Sequence, residues 1–150
     1  MPTLILKTKI YASIEKCFDL SRSLDLHMTS MKSNKEKAIE GKLTGLIGPG
    51  EQVTWQARHF GLSFKMTNKI TAMKNPFYFV DEMLNGPFRI LHHQHHFTSA
   101  GGYTEMTDIF AYKSPMGLIG QFIDFLFLKN YLYKLLTARN QAIKSVAEQL

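Results

Sequence analysis

A chain of 150 residues is long enough for one domain with a real core, and its single cysteine, Cys17, rules out an internal disulfide and suits a reducing compartment. Apolar content of 45%, with eleven Phe and eight Met, describes an ordinary globular protein rich in bulky, adaptable side chains. The most hydrophobic segment, 118–136, holds Gln121, Asp124, Lys129 and Lys134, whereas a membrane span needs about 20 nearly uncharged residues, and the N-terminus shows no signal peptide; a soluble cytoplasmic protein is expected.

Residues 3–11 alternate, with Leu4, Leu6 and Ile10 on one face, and read as a strand. Ser13 offers an N-cap for a short helix to about Leu20, and Ser23 to Thr29 reads as a second. Residues 30–42 are polar and charged, and 43–50 carry three glycines and a proline, so both stretches read as surface loop. From Glu51 strand follows strand. Val53, Trp55, Ala57 and His59 share a face; beyond Gly61, so do Leu62, Phe64, Met66, Asn68 and Ile70. Asn75-Pro76 turns into 77–84, where Phe77, Phe79, Asp81 and Met83 fall together. Asn85-Gly86-Pro87 opens the next run, in which Leu91, His93, His95 and Phe97 lie on one side while His92, Gln94 and His96 point outward. A turn centred near Ala100-Gly101 leads to 103–113, with Thr104, Met106, Asp108, Phe110 and Tyr112 together.

Ser114-Pro115 ends the strands, and the spacing predicts a helix over 116–149, about 50 Å long. Leu118, Phe122, Phe125, Leu132, Leu136, Ile143 and Leu150 form its apolar stripe, interrupted by Lys129 and Asn140. The expected fold is α+β over a single domain, 1–150. Five or six antiparallel strands form a curved sheet wrapped around the C-terminal helix, with two short helices near the N-terminus. Such a sheet commonly leaves a space beneath the helix.

The net charge of +6 invites a nucleic-acid or anionic-membrane partner, but the basic residues do not cluster. Lys32, Lys35 and Lys37 form one local group in a loop. Lys129, Lys134, Arg139 and Lys144 lie five apart, so successive ones rotate by about 140° and form no stripe. No nucleic-acid partner is therefore expected, and nothing sets an oligomeric state.

The chain resembles the SRPBCC superfamily, the helix-grip fold of START lipid-transfer domains, pollen-allergen-like proteins, polyketide cyclases and coenzyme-Q-binding proteins. The residues that carry the resemblance are Trp55-Gln56-Ala57-Arg58-His59-Phe60-Gly61, Phe79 through Phe88, His93-x-His95-x-Phe97, Thr104-x-Met106-x-Asp108 and Arg139-Asn140. It spans nearly the whole chain. Leu91 departs from the pattern, which has a Trp two residues before the first histidine, and implies a roomier interior. The resemblance implies a cavity for a hydrophobic ligand, lipid-like or polyketide-like, and no particular reaction.

His59, Asn68, Asp81, His93, His95 and Asp108 fall on faces otherwise made of Trp55, Phe64, Met66, Phe79, Met83, Met106 and Phe110. Buried without partners, each would cost on the order of 1–3 kcal/mol, so they need one another or a wet cavity. Three accounts fit. They are a satisfied network, with Asp81 and Asp108 accepting from the histidines and Asn68 bridging; the polar floor of a ligand pocket; or an acid–base group for cyclase- or dehydrase-type catalysis, with His93, His95, Asp81 and Asp108 as candidates. The ligand site expected is Trp55, His59, Phe64, Met66, Asn68, Asp81, Met83, His93, His95, Met106, Asp108, Phe122 and Phe125. Counting from the turn opposes Asp108 to a residue near His93. His93-x-His95 with His59 or Asp81 has metal-ligand character, but the reading taken includes no metal and no cofactor. A remaining alternative is a protein- or membrane-interaction module using Tyr131 and Lys134 of the helix.

Overall fold

The structure is a computed structural model describing residues 1–149; Leu150, on the expected stripe, lies outside the described residues. β1 (Thr3–Ile10) is followed by α1 (Ile14–Ser21) and α2 (Leu24–Ser30), then β2 (Lys37–Gly41), β3 (Gln52–His59), β4 (Leu62–Lys74), β5 (Tyr78–Asn85), β6 (Ile90–Ala100) and β7 (Tyr103–Lys113). The expected caps form: Ser13 Oγ accepts from Lys16 N–H and Ser23 Oγ from Leu26 N–H, each satisfying a donor the first helical turn leaves free.

The seven strands make one antiparallel sheet in the order β1-β7-β6-β5-β4-β3-β2. Alternation works as expected in β6 and β7, where every second residue from Leu91 to Phe97 and from Thr104 to Tyr112 is buried. The inner face carries a core built from Ile10, Phe18, Trp55, Phe79, Phe97 and Met106, with Phe18 meeting Phe79 and Phe97 edge-on. Burial of each such side chain is worth about 1.5–3 kcal/mol. A second cluster joins Leu4, Leu6, Leu91, Phe110 and Tyr112 to Leu132 and Leu136 of the last helix.

Three expectations are corrected. First, the supposed loop 30–42 contains β2, an edge strand on β3 whose register shifts between Ala38 and Glu40. Its charged residues, Lys37 and Glu40, are those that protect an exposed edge, and they erase the alternation that would reveal it. Second, the β6–β7 turn centres on Gly101-Gly102, both at positive φ, with Ala100 opposite Tyr103. The register is therefore two residues from the one counted: Asp108 faces His95, and His93 faces Phe110.

Third, the C-terminal helix is not a uniform α-helix. α3 (Gly117–Ile123) runs through a π-helical turn (Asp124–Leu128) into α4 (Lys129–Ala147). The wider turn accommodates an extra residue, so everything N-terminal to it is rotated relative to the stripe that Leu132, Leu136 and Ile143 define. Gly120, Asp124, Leu128, Leu132 and Leu136 turn inward at a constant spacing of four, and Leu118, Phe122 and Phe125 turn out, Phe125 to 85% exposure. Asp124 is satisfied by the Tyr112 hydroxyl, which donates to it. Asn140, the interruption expected at the other end, is buried for a reason given below.

Candidate functional site

Between the inner sheet face and the helix lies a cavity of about 410 Å³. Its wall is mostly apolar, from Trp55, Phe64 and Met66 on the sheet to Leu128, Leu132 and Leu136 on the helix. Phe60, Met116 and Ile123 line it and are also exposed, which marks where it opens. A cavity of this size and lining is in the range of small-molecule sites.

Its polar floor comes from β5, β6 and β7, with the last helix behind. His93 Nε2–H donates to Asp108 Oδ1 at 2.8 Å, and His95 Nε2–H donates to Asp81 Oδ2 at 2.6 Å. The two imidazoles stack with ring centroids 3.7 Å apart, and Phe79 stacks on the far side of His95 at 4.1 Å. Asp108, fully buried, also accepts from Asn140 Nδ2 at 2.7 Å and has the Arg139 guanidinium 3.6 Å away. Arg139 in turn donates to the backbone carbonyl of Ser21, so α1 joins the network.

Burial by itself would raise the Asp108 pKa. The hydrogen bond from His93 and its electrostatic pull, with His95 and the Arg139 guanidinium alongside, overcome it and hold the carboxyl well below the ordinary range. Asp81 is lowered in the same way, burial being outweighed chiefly by its bond from His95. His95 is held down to about 4, by burial first and by its neighbour His93 second, against the pull of Asp81. It is neutral at pH 7, and its Nδ1 has no hydrogen-bond partner among the described residues; neither has Asn68 Oδ1 on β4. His59 is lowered by burial, and its Nδ1 sits 2.6 Å from the Tyr131 hydroxyl.

Of the residues expected at the site, Trp55, His59, Phe64, Met66, Asn68, Asp81, His93 and His95 line the cavity. Asp108 lies behind the histidines, and Met106 is packed in the core, where the Ser21 hydroxyl points at its sulfur. Met83 packs beside the second cluster, outside the wall. Phe122 and Phe125 are carried to the outer surface by the π-turn. Tyr131, expected as an exposed contact residue, is half-buried against His59.

Several wall residues carried no signal of their own. Arg139 was one of four scattered basic residues, yet it is buried beside Asp108. His27 accompanies Glu36 at 2.7 Å and sets its ring tilted against that of Trp55 with centroids 4.3 Å apart, giving the cavity a second polar pair far in sequence from the first. The sequence hint to Arg139 was the Arg139-Asn140 pair among the residues that carry the resemblance.

Asp81, His93 and His95 each present a possible ligand atom, all within 4.8 Å of one another. A divalent ion there would have to displace the proton that joins His95 to Asp81. Without an ion, the arrangement can accept a hydrogen bond at Asp81 and hold His93 as a base whose proton-bearing Nε2 is fixed by Asp108.

No protein-family model and no curated protein matches the chain. Solved structures do. A START superfamily protein from Mycobacterium smegmatis aligns at TM-score 0.74 with 11% identity, over 98% of this chain and 97% of its own. The major latex-like protein 151 of Panax ginseng aligns at 0.72 with 15% identity, over 99% and 98%. A Thermus thermophilus protein aligns at 0.73 with 15% identity, over 98% and 100%. At such identities the likeness shows the fold, which is the helix-grip fold that the resemblance implied.

Proposed function

We propose that the protein binds a hydrophobic small molecule in the cavity, its polar end against the Asp81–His93–His95 floor and its apolar body along Trp55, Phe64 and Leu136. The carrying observation is the pairing of a largely apolar wall of about 410 Å³ with a charged network buried at one place in it. An ionised Asp81 accepts, so the favoured ligand presents an N–H or O–H there. A lipid-like or aromatic polyketide-like molecule with a hydroxyl has that form. With its one thiol, Cys17, buried, the protein suits the cytoplasm.

Native mass spectrometry of protein purified from cells tests this. A co-purifying mass lost on Trp55→Ala or on Asp81→Ala supports the reading. A cavity that admits no apolar fluorescent dye, in protein stripped of lipid, overturns it.

A second reading, acid–base catalysis of a cyclase or dehydrase type, is favoured by one observation: Asp108 fixes the His93 tautomer and leaves Nδ1 as the basic nitrogen beside the cavity. It predicts that His93→Gln keeps ligand affinity and loses turnover, whereas a binding module loses affinity alone.

A further inference from the structure

The outer face of the C-terminal helix is apolar to a degree that folding does not explain. Leu118, Ile119, Phe122, Phe125, Leu126 and Phe127 are all substantially exposed, within ten residues. Since Gly120, Asp124 and Leu128 already face inward, these apolar side chains are surplus to the core, and in a water-soluble fold such a face marks a surface meant for another phase or partner. The β3–β4 hairpin tip extends the patch. Phe60 and Leu62 are exposed there, and the Phe60 ring lies 4.5 Å from that of Tyr131 at the start of α4.

Charge decides what covers this face. No Asp or Glu occurs from Gln52 to Val80, the stretch that holds β3, the hairpin tip and β4, while Arg58, Lys65, Lys69 and Lys74 do. From Ile109 to Ala147 the single acid is Asp124, which is buried against Tyr112. Lys113 and Lys129 are exposed at the two ends of the apolar segment, and Lys134 follows one turn later. A second copy docked on the same face would oppose like charges at both ends. An anionic lipid surface would take the apolar side chains below its headgroups and meet the lysines with phosphates.

We propose that the segment 116–127, together with the tip Phe60–Leu62, docks the protein on an anionic lipid bilayer with the cavity mouth against the lipid. Phe60, Met116 and Ile123 belong both to the patch and to the cavity wall, so a lipid-soluble guest passes between bilayer and cavity without crossing bulk water. The proposal does not depend on the identity of the guest or on the cavity being filled.

Flotation of the full chain with vesicles tests it, using phosphatidylcholine alone and phosphatidylcholine with phosphatidylglycerol, at low and high salt. The wild type is expected to float with the anionic vesicles, more weakly at high salt, and poorly with the neutral ones. Phe122→Ser combined with Phe125→Ser should lower the bound fraction about tenfold or more with an unchanged melting temperature, because both side chains are already in water. Lys113→Glu combined with Lys129→Glu should remove the preference for anionic lipid. Wild-type protein that stays in solution with both vesicle types overturns the proposal, as does vesicle binding indifferent to the Phe pair or to the Lys pair. A lipid-free dimer in light scattering that the Phe pair dissociates would assign the face to a second copy and overturn it too. Dye binding by lipid-free protein is a separate readout, so a failure here leaves the cavity reading where it stands.

Discussion

Asn140, on the last helix, donates from Nδ2 to Asp108 Oδ2 on β7 at 2.7 Å, and so ties helix to sheet across the buried end of the cavity. Asp108 is thereby engaged on both oxygens, by the helix on one and by His93 on the other. The network both closes the interior and orients an imidazole that the cavity can reach.

Removing that carboxylate should be costly. Asp108→Ala leaves Arg139, Asn140 and His93 buried with a missing acceptor, and is expected to destabilise the fold by roughly 3 kcal/mol. Glu105→Ala, three residues away and exposed beside Lys7, should change stability by less than about 0.5 kcal/mol. Urea unfolding of the two variants checks this; equal midpoints would remove the structural role assigned to Asp108.

Acid should loosen the protein in two stages. His95 is neutral in the fold down to about 4, while in the unfolded chain it takes a proton near its ordinary value of about 6.5. Between those values the unfolded state binds more protons, so stability falls as pH drops from about 6.5 towards 4, by at most about 1.4 kcal/mol per pH unit. The carboxylates, whose folded pKa values are lowered, stabilise the fold above their unfolded range and lose that contribution only further down. Melting temperatures of wild type and His95→Gln between pH 7 and pH 4, the span in which His95 titrates, separate the stages. If the two curves run parallel, His95 is not the group responsible.

Leu91 is buried and forms part of the cavity wall, where the family pattern has a Trp. Leu91→Trp should fill space at that wall and weaken binding of a bulky apolar dye about tenfold, with an overpacking cost of about 1–3 kcal/mol. Fluorescence titration reads the affinity directly. A dye that binds the variant as well as the wild type is not in this cavity.

Gly120 marks a close approach. A Cβ there would lie 1.8 Å from the Pro115 carbonyl oxygen, a backbone atom that cannot swing aside. Gly120→Ala should shift the start of α3 and cost about 2 kcal/mol or more, although alanine is the better helix former. Gln121→Ala, on the exposed side, is the control. Equal thermal stability of the two would mean that the 114–117 corner yields freely.

Most of the fold was legible because strand faces alternate with period two, and β6 and β7 keep that period without a break. His93, His95 and Asp108 were placed on one inner face by that rule alone. Partner choice was harder, since moving the turn centre from Ala100-Gly101 to Gly101-Gly102 changes the cross-strand pairing by two residues; the His93–Asp108 bond forms nonetheless, as a diagonal contact. Phe122 and Phe125 were misplaced because a stripe drawn at 3.6 residues per turn cannot see one wide turn. The constant spacing of four from Gly120 to Leu136 was the available sign. Asn140 looked like a flaw in the stripe until a buried acceptor was found opposite it. β2 stayed hidden because an edge strand guarded by Lys37 and Glu40 has the composition of a loop.

The Asp81 carboxylate, partly exposed on the cavity floor, gives the cavity a means of discrimination. The aromatic and aliphatic walls reward any guest of suitable bulk and can barely tell a molecule from its hydroxylated twin. An acceptor that the guest strips of water can, because a guest that leaves it unmet forfeits on the order of 1–3 kcal/mol, about tenfold to a hundredfold in affinity. Shape then decides which molecules enter, and a single N–H or O–H decides which of two equally shaped ones remains.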